Sequence, residues 1–150
     1  MTRPNEAASP SNNDNFTIFK GEMDGHPLFA TIDTSLRNYQ NKTNFPWFLG
    51  ISTPLAKPNS DGLTTRQEAE ELNKWEDELE RQIGSETPLV YVGRVTWSGH
   101  RELLFYVAKP DPAKRKLQSL IDGHKTRPFA FRCDKDETWS NVSVYFKDRH

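Results

Sequence analysis

Apolar residues recur along this chain with spacings that change character several times between Phe16 and Cys133. The segment NFTIFKGEMDGHPLFATID holds two short β-rich runs around Asp24-Gly25, a dipeptide suited to the positive φ angles of a tight turn. An N-terminal β-hairpin is expected. Residues 34–46 are polar and Asn-rich up to Pro46 and read as a connecting loop. PWFLGIST is then a continuous apolar run, which suits a largely buried strand starting at Trp47.

After the turn-rich KPNSDGL the period becomes helical. In TTRQEAEELNKWEDELERQIG, Ala69, Leu72, Trp75, Leu79 and Ile83 recur every three or four residues and form one apolar stripe. Thr65 and Glu68 have capping-box spacing, and Gly84 stands where a helix commonly stops. LVYVGRVTW and RELLFYVA follow as strands separated by Ser98, Gly99 and His100, a hairpin spacing. Asp111 then caps a second helix with Pro112 at its first position, and its buried stripe is Ala113, Leu117, Leu120, Ile121 and His124. RPFAFRC is a strand. In the tail, Thr138 suits a helix cap while Val142, Val144 and Phe146 alternate as in a strand; a short helix is the favoured reading.

From Trp47 to Cys133 the order is strand, helix, strand, turn, strand, helix, strand, which describes a split βαβ unit. The predicted fold is α+β, a ferredoxin-like βαββαβ sandwich with an added N-terminal β-hairpin and a short C-terminal element. Residues 1–15 are Asn, Ser, Pro and Ala with almost nothing to bury and read as a disordered tail, leaving 16–150 as one domain.

Composition narrows the function. A formal charge of −1 removes the whole-protein electrostatic reason to expect nucleic-acid binding, although a local basic face can survive within a balanced total. Cys133 is the only cysteine, so neither an internal disulfide nor a thiolate zinc cage forms within one chain. That cysteine usage, and the lack of any apolar run long enough to cross a bilayer, fit a soluble cytoplasmic protein with no membrane partner. His26, His100, His124 and His150 lie far apart without metal-ligand spacing, and Gly-rich phosphate loops and a Gly-x-Ser-x-Gly elbow are missing. No metal, no cofactor and no catalytic residue is therefore assigned, and the chain is expected not to be an enzyme.

Two sets of side chains suggest binding. The first helical segment carries Glu68, Glu70, Glu71, Glu76, Asp77, Glu78 and Glu80 against Arg66, Lys74 and Arg81. Its acids read as a solvated face, with Glu70–Lys74 and Asp77–Arg81 at i,i+4 spacing. The second segment carries Lys109, Lys114, Arg115, Lys116, Lys125, Arg127 and Arg132 against Asp111 and Asp122. Side by side on a sheet, the two helices either attract each other or form a bipolar docking surface with Lys114, Arg115 and Lys116 as its basic half. On the hairpin VGRVTWSGHRELLFYV, Arg94, Thr96, Arg101, Glu102 and Tyr106 include polar residues facing away from apolar neighbours. If that outer face is open, Tyr91, Trp97 and Tyr106 are candidate stacking platforms for RNA or a small ligand.

Asp61-Gly62-Leu63 with the acidic EAEELNKWEDELE, then VGRVTWSGHRELLFYV, then Asp136-x-x-Trp139 followed by Tyr145 resemble the bacterial family called domain of unknown function 695, from about Phe16 to Phe146. That family in turn looks related to the regulators of ribonuclease E activity, type B, small ferredoxin-like proteins that bind an RNA-processing enzyme and inhibit it. The resemblance implies a protein-binding regulator without an active site. The basic second helix and the β-branched tail after Trp139 depart from that pattern.

Overall fold

A computed structural model describes residues 15–124 and 126–147; the segment read as a disordered tail lies, up to residue 14, outside the described residues. The chain forms β1 (Phe16–Met23), β2 (His26–Asp33), β3 (Trp47–Pro54), α1 (Arg66–Gly84), β4 (Leu89–Trp97), β5 (His100–Val107), α2 (Pro110–Gly123) and β6 (Ala130–Lys135). Short 3₁₀ helices cover Thr34–Asn38, Lys42–Asn44 and Ser140–Phe146. The tail thus resolves as helix rather than strand. The fold is mixed α+β, built on a six-stranded sheet of order β1-β2-β4-β5-β3-β6 in which every neighbouring pair is antiparallel. Among the described residues no helix is long and apolar enough to cross a membrane.

Local chemistry accounts for most boundaries. Asp24 and Gly25 take φ of 53° and 81°, and Ser98 and Gly99 take 48° and 83°, so both hairpins close through two-residue turns whose backbone matches the strand twist. His100 therefore belongs to β5 and not to the turn. The Thr65 hydroxyl caps α1 by accepting from the Glu68 N–H at 3.3 Å. Helix α2 starts earlier than Asp111 suggested: Pro110 opens it, Lys109 is its cap without a side-chain bond, and Asp111 sits in the first turn where the dipole favours a negative charge.

Both faces of the sheet are covered. On one, Leu79 and Ile83 of α1 and Ala113 and Leu117 of α2 pack on Leu49, Ile51, Leu103, Phe105 and Val107. The expected stripe of α2 fades toward its end: Leu120 and Ile121 are half-buried and His124, in the left-handed region, is exposed. The helix outruns the sheet there, so its last apolar residues border a groove instead of the core. On the other face Phe48, Val90, Val92, Leu104 and Tyr106 lie beneath Leu36, Trp139 and Val142, contributed by the 3₁₀ segments.

One irregularity decides which side chains share a face. The register of β4 against β5 slips between Tyr91 and Gly93. An extra residue there reverses the alternation, so that Arg94 joins Tyr91 beneath α1 instead of joining Val92 on the far side. Only glycine fits the slip, since a Cβ on Gly93 would lie 2.1 Å from the Thr31 carbonyl oxygen.

Candidate functional site

The helical face holds two concavities near the charged segments. Between α1 and α2 runs a groove of about 470 Å³ whose floor is Trp75, Leu79 and Leu120, with Glu78, Gln82 and Ser119 at its edge. A second cleft of about 370 Å³ adjoins it across Leu120 and Thr126 and reaches His124 and Phe129. The tryptophan is held in place: its Nε1 donates to Thr126 Oγ1 at 2.8 Å, its ring meets Phe129 at 6.0 Å, and the Arg127 guanidinium lies 5.7 Å away over its face.

Arg127 also anchors the start of α1. It binds the Glu68 carboxylate at 2.8 Å, while that carboxylate accepts the backbone N–H groups of Ala56 and Lys57 at 2.5 and 2.9 Å. Burial alone would raise the Glu68 pKa, but Arg127 and the two amides outweigh it and lower it. Glu68 therefore does not complete a capping box; its side chain is spent on the preceding loop.

The bases of α2 stand at the surface. Lys114 and Arg115 are exposed, and neither makes an ion pair among the described residues. Lys116 lies 3.8 Å from Glu86, beyond the end of α1. Of the acids on α1, Glu70, Glu71, Asp77 and Glu78 are exposed as expected, with Arg81 bridging to Glu78. Glu76 and Glu80 are not: both are buried at 5 % exposure, which corrects the reading of all these acids as one solvated face.

Glu76 explains the fate of the hairpin candidates. Its carboxylate binds Arg101 at 2.7 Å and Arg94 at 3.1 Å, and accepts from the Tyr91 hydroxyl at 3.3 Å, all beneath α1. Arg101 also donates to Thr96 Oγ1 at 3.0 Å and its side chain is only 7 % exposed. Burial first, and then the neighbouring Glu76 carboxylate, push the Tyr91 pKa far up. Arg101 is thus buried and Arg94, half-buried, is tied to the same carboxylate beneath α1, so the two are not part of an open outer sheet face. Glu102 lies on the opposite face, half-buried and 3.6 Å from Arg132.

Tyr106 is removed from the surface altogether. It is fully buried, its ring stacked on Trp139 at 4.1 Å and 9°, and its hydroxyl donates to Asp136 at 2.6 Å. The candidates Tyr91, Trp97 and Tyr106 do not form one platform: Tyr91 and Tyr106 pack in different cores, and Trp97 Nε1 donates to the Met23 carbonyl at 2.9 Å. Proximity along β5 had grouped Arg101, Glu102 and Tyr106, but adjacent positions alternate between faces.

Asp136 is the latch of this second layer. Besides Tyr106, it accepts from the backbone N–H groups of Ser140 and Asn141 and from both their side chains at 2.8–3.0 Å. Burial would raise its pKa, yet the tyrosine hydroxyl and these donors hold it down at about 2. The group is depressed in the folded chain, so its contribution is present above its unfolded pKa of about 3.9 and is lost as pH falls through the folded value. The wild type should therefore exceed Asp136→Asn in urea-measured stability by about 2–3 kcal/mol near neutral pH, and this difference should shrink steadily between about pH 4 and pH 2. A pH-independent difference would contradict the latch.

Chemically, the strongest polar groups are committed to one another: Glu76 with Arg94 and Arg101, Glu68 with Arg127, Asp136 with Tyr106. Cys133 is half-buried, and burial pushes its thiol pKa up, away from reactivity. Among the described residues no group of three or more His, Cys, Asp or Glu side chains is placed to hold a metal. What stays accessible is the groove with Glu78 at its edge and, among the described residues, the unpaired Lys114 and Arg115 of α2.

In comparisons with known proteins, the model of a family of unknown function, DUF695, matches residues 14–147. No curated protein and no solved structure matches the chain.

Proposed function

The chain belongs to the DUF695 family of unknown function, and from that premise we propose that it is a non-catalytic module that binds and regulates a protein partner through the face bearing α1 and α2. One observation carries the reading: Lys114 and Arg115 stand exposed without an ion-pair partner among the described residues, on the helix that forms one wall of the Trp75 groove. Helices that merely neutralised each other would turn these bases toward α1. A partner with an acidic segment for α2 and an apolar side chain for the Trp75 groove fits this chemistry. Cytoplasmic action agrees with the single cysteine.

We further read β3 to β6 with α1 and α2 as the ferredoxin-like unit, because β3 and β4 run parallel with β5 between them and β6 lies on the outer side of β3. The likeness to the type B regulators of ribonuclease E activity belongs to the same proposal. RNA binding on the far sheet face is the weaker alternative, since Trp139 occupies the ring of Tyr106 that a base would need.

Replacing Lys114, Arg115 and Lys116 together with serine tests the proposal. Affinity capture from native cytoplasm should lose the partner retained by the wild type, most at low salt, because surface charges act chiefly on association rate and are screened as salt rises. The thermal unfolding midpoint should hardly move. A partner held equally by the triple variant at low and high salt would overturn the docking surface.

A further inference from the structure

We propose that β1 is a self-association edge, at which two copies of the chain pair their β1 strands antiparallel about a twofold axis at Gly21. The inference rests on the far end of the sheet and is independent of the helical face. Strand β1 terminates the sheet, and its one neighbour among the described residues is β2. Met23 and His26 flank the two-residue turn and so form the closing hydrogen-bonded pair. The bonds of the hairpin then use alternate residues of β1, namely Met23, Gly21, Phe19 and Thr17. The N–H and C=O groups of Ile18, Lys20 and Glu22 point outward, where a further strand would receive them.

The two edges of the sheet are built differently. Strand β6 has six residues and exposes Arg132, Asp134 and Lys135, charges of the kind that blunt an edge. Strand β1 has eight residues and, beside the exposed Lys20 and Glu22, exposes Ile18 at 62 % and Met23 at 44 %, with Phe29 of β2 at 41 % next to it. An edge of that length and apolar character is a template for strand addition.

Charge complementarity selects the occupant. Lys20 and Glu22 are two residues apart and share a side of the strand. An axis at Gly21 sets Lys20 opposite Glu22 of the second copy and Glu22 opposite its Lys20, giving two cross-strand ion pairs from one sequence. The same axis brings Met23 onto Phe19 of the second copy on the other side. An axis at Phe19 leaves both charges facing apolar residues, Lys20 opposite Ile18 and Glu22 opposite Phe16; an axis at Ile18 runs Glu22 past the start of the strand, and axes at Lys20 or Glu22 set like charges together. Gly21 suits the axis itself: it is the non-hydrogen-bonded central pair, where the backbones come closest, and nothing lies within 4 Å of a Cβ built there.

Sedimentation velocity on the full chain over a range of concentrations tests this. The wild type should shift toward twice the monomer mass as concentration rises. Glu22→Lys, which turns both ion pairs into repulsions, should weaken dimerisation by about tenfold or more, and Lys20→Glu should do the same. The double variant Lys20→Glu/Glu22→Lys restores both pairs and should recover dimerisation. Both positions are exposed, so the folded monomer should keep its circular dichroism spectrum throughout. A wild type that stays monomeric, or a double variant that associates no better than either single one, overturns the proposal.

Discussion

Replacing Trp139 by alanine is expected to lower the unfolding free energy by about 3–5 kcal/mol, the range for deleting a large aromatic from a core. The indole is fully buried although it lies in an irregular segment eight residues from the last described residue. It stacks on Tyr106, lies 5.7 Å from the Tyr39 ring, and its Nε1 donates to the Phe45 carbonyl at 3.0 Å. Its removal thus severs contacts that join the 3₁₀ segments to the sheet. A domain of this size has only about 5–15 kcal/mol to lose, so the loss is a large part of the total. Urea unfolding followed by near-ultraviolet circular dichroism measures it. The variant should also bind an apolar dye, because Phe48 and Tyr106 would be uncovered. A loss below about 1 kcal/mol would show that Trp139 is a lid resting on a self-sufficient sheet.

Glu76→Ala is the second large effect, expected at about 3–5 kcal/mol, because it strands the Arg101 guanidinium in the interior with only Thr96 as a partner. Arg94 is 30 % exposed and can turn to solvent, so Arg101 accounts for most of the loss. A buried ion pair is itself weak evidence for stability; the penalty comes from leaving one charge behind. Glu76→Leu combined with Arg101→Met should therefore be more stable than either single variant, and a double-mutant cycle in urea reads the coupling directly. If the double variant loses the sum of the single losses, the two side chains are not acting as a pair.

These two residues also mark where sequence reasoning stopped. Both hairpins, both long helices and the strand order along the chain were legible, because turn dipeptides, caps and the 3.6-residue period act over a few neighbouring positions. Thr65, Asp24-Gly25 and the stripe from Leu72 to Ile83 needed no distant partner to be recognised. The two clefts along α2 were not legible: Trp75 and Leu120 read as positions of the buried stripes, and nothing local indicated that Thr126 and Arg127 would fasten Trp75 at the edge of a groove.

The face on which each polar residue falls was settled only by tertiary structure. One slipped position at Gly93 reverses the alternation of β4 and carries Arg94 inward, and a two-residue period read from sequence passes over such a slip. Glu76 belongs by spacing to a hydrophilic helix face, yet it is drawn inside because arginines from two other strands converge on it. Trp139 is covered by Tyr39, Phe45 and Tyr106, all distant from it in sequence. The hairpins and the two long helices were determined by near neighbours, whereas the 3₁₀ helices within 34–46, read as a connecting loop, were not. Only the folded chain decided which charges are buried and which stay exposed, since that depends on contacts between residues tens of positions apart.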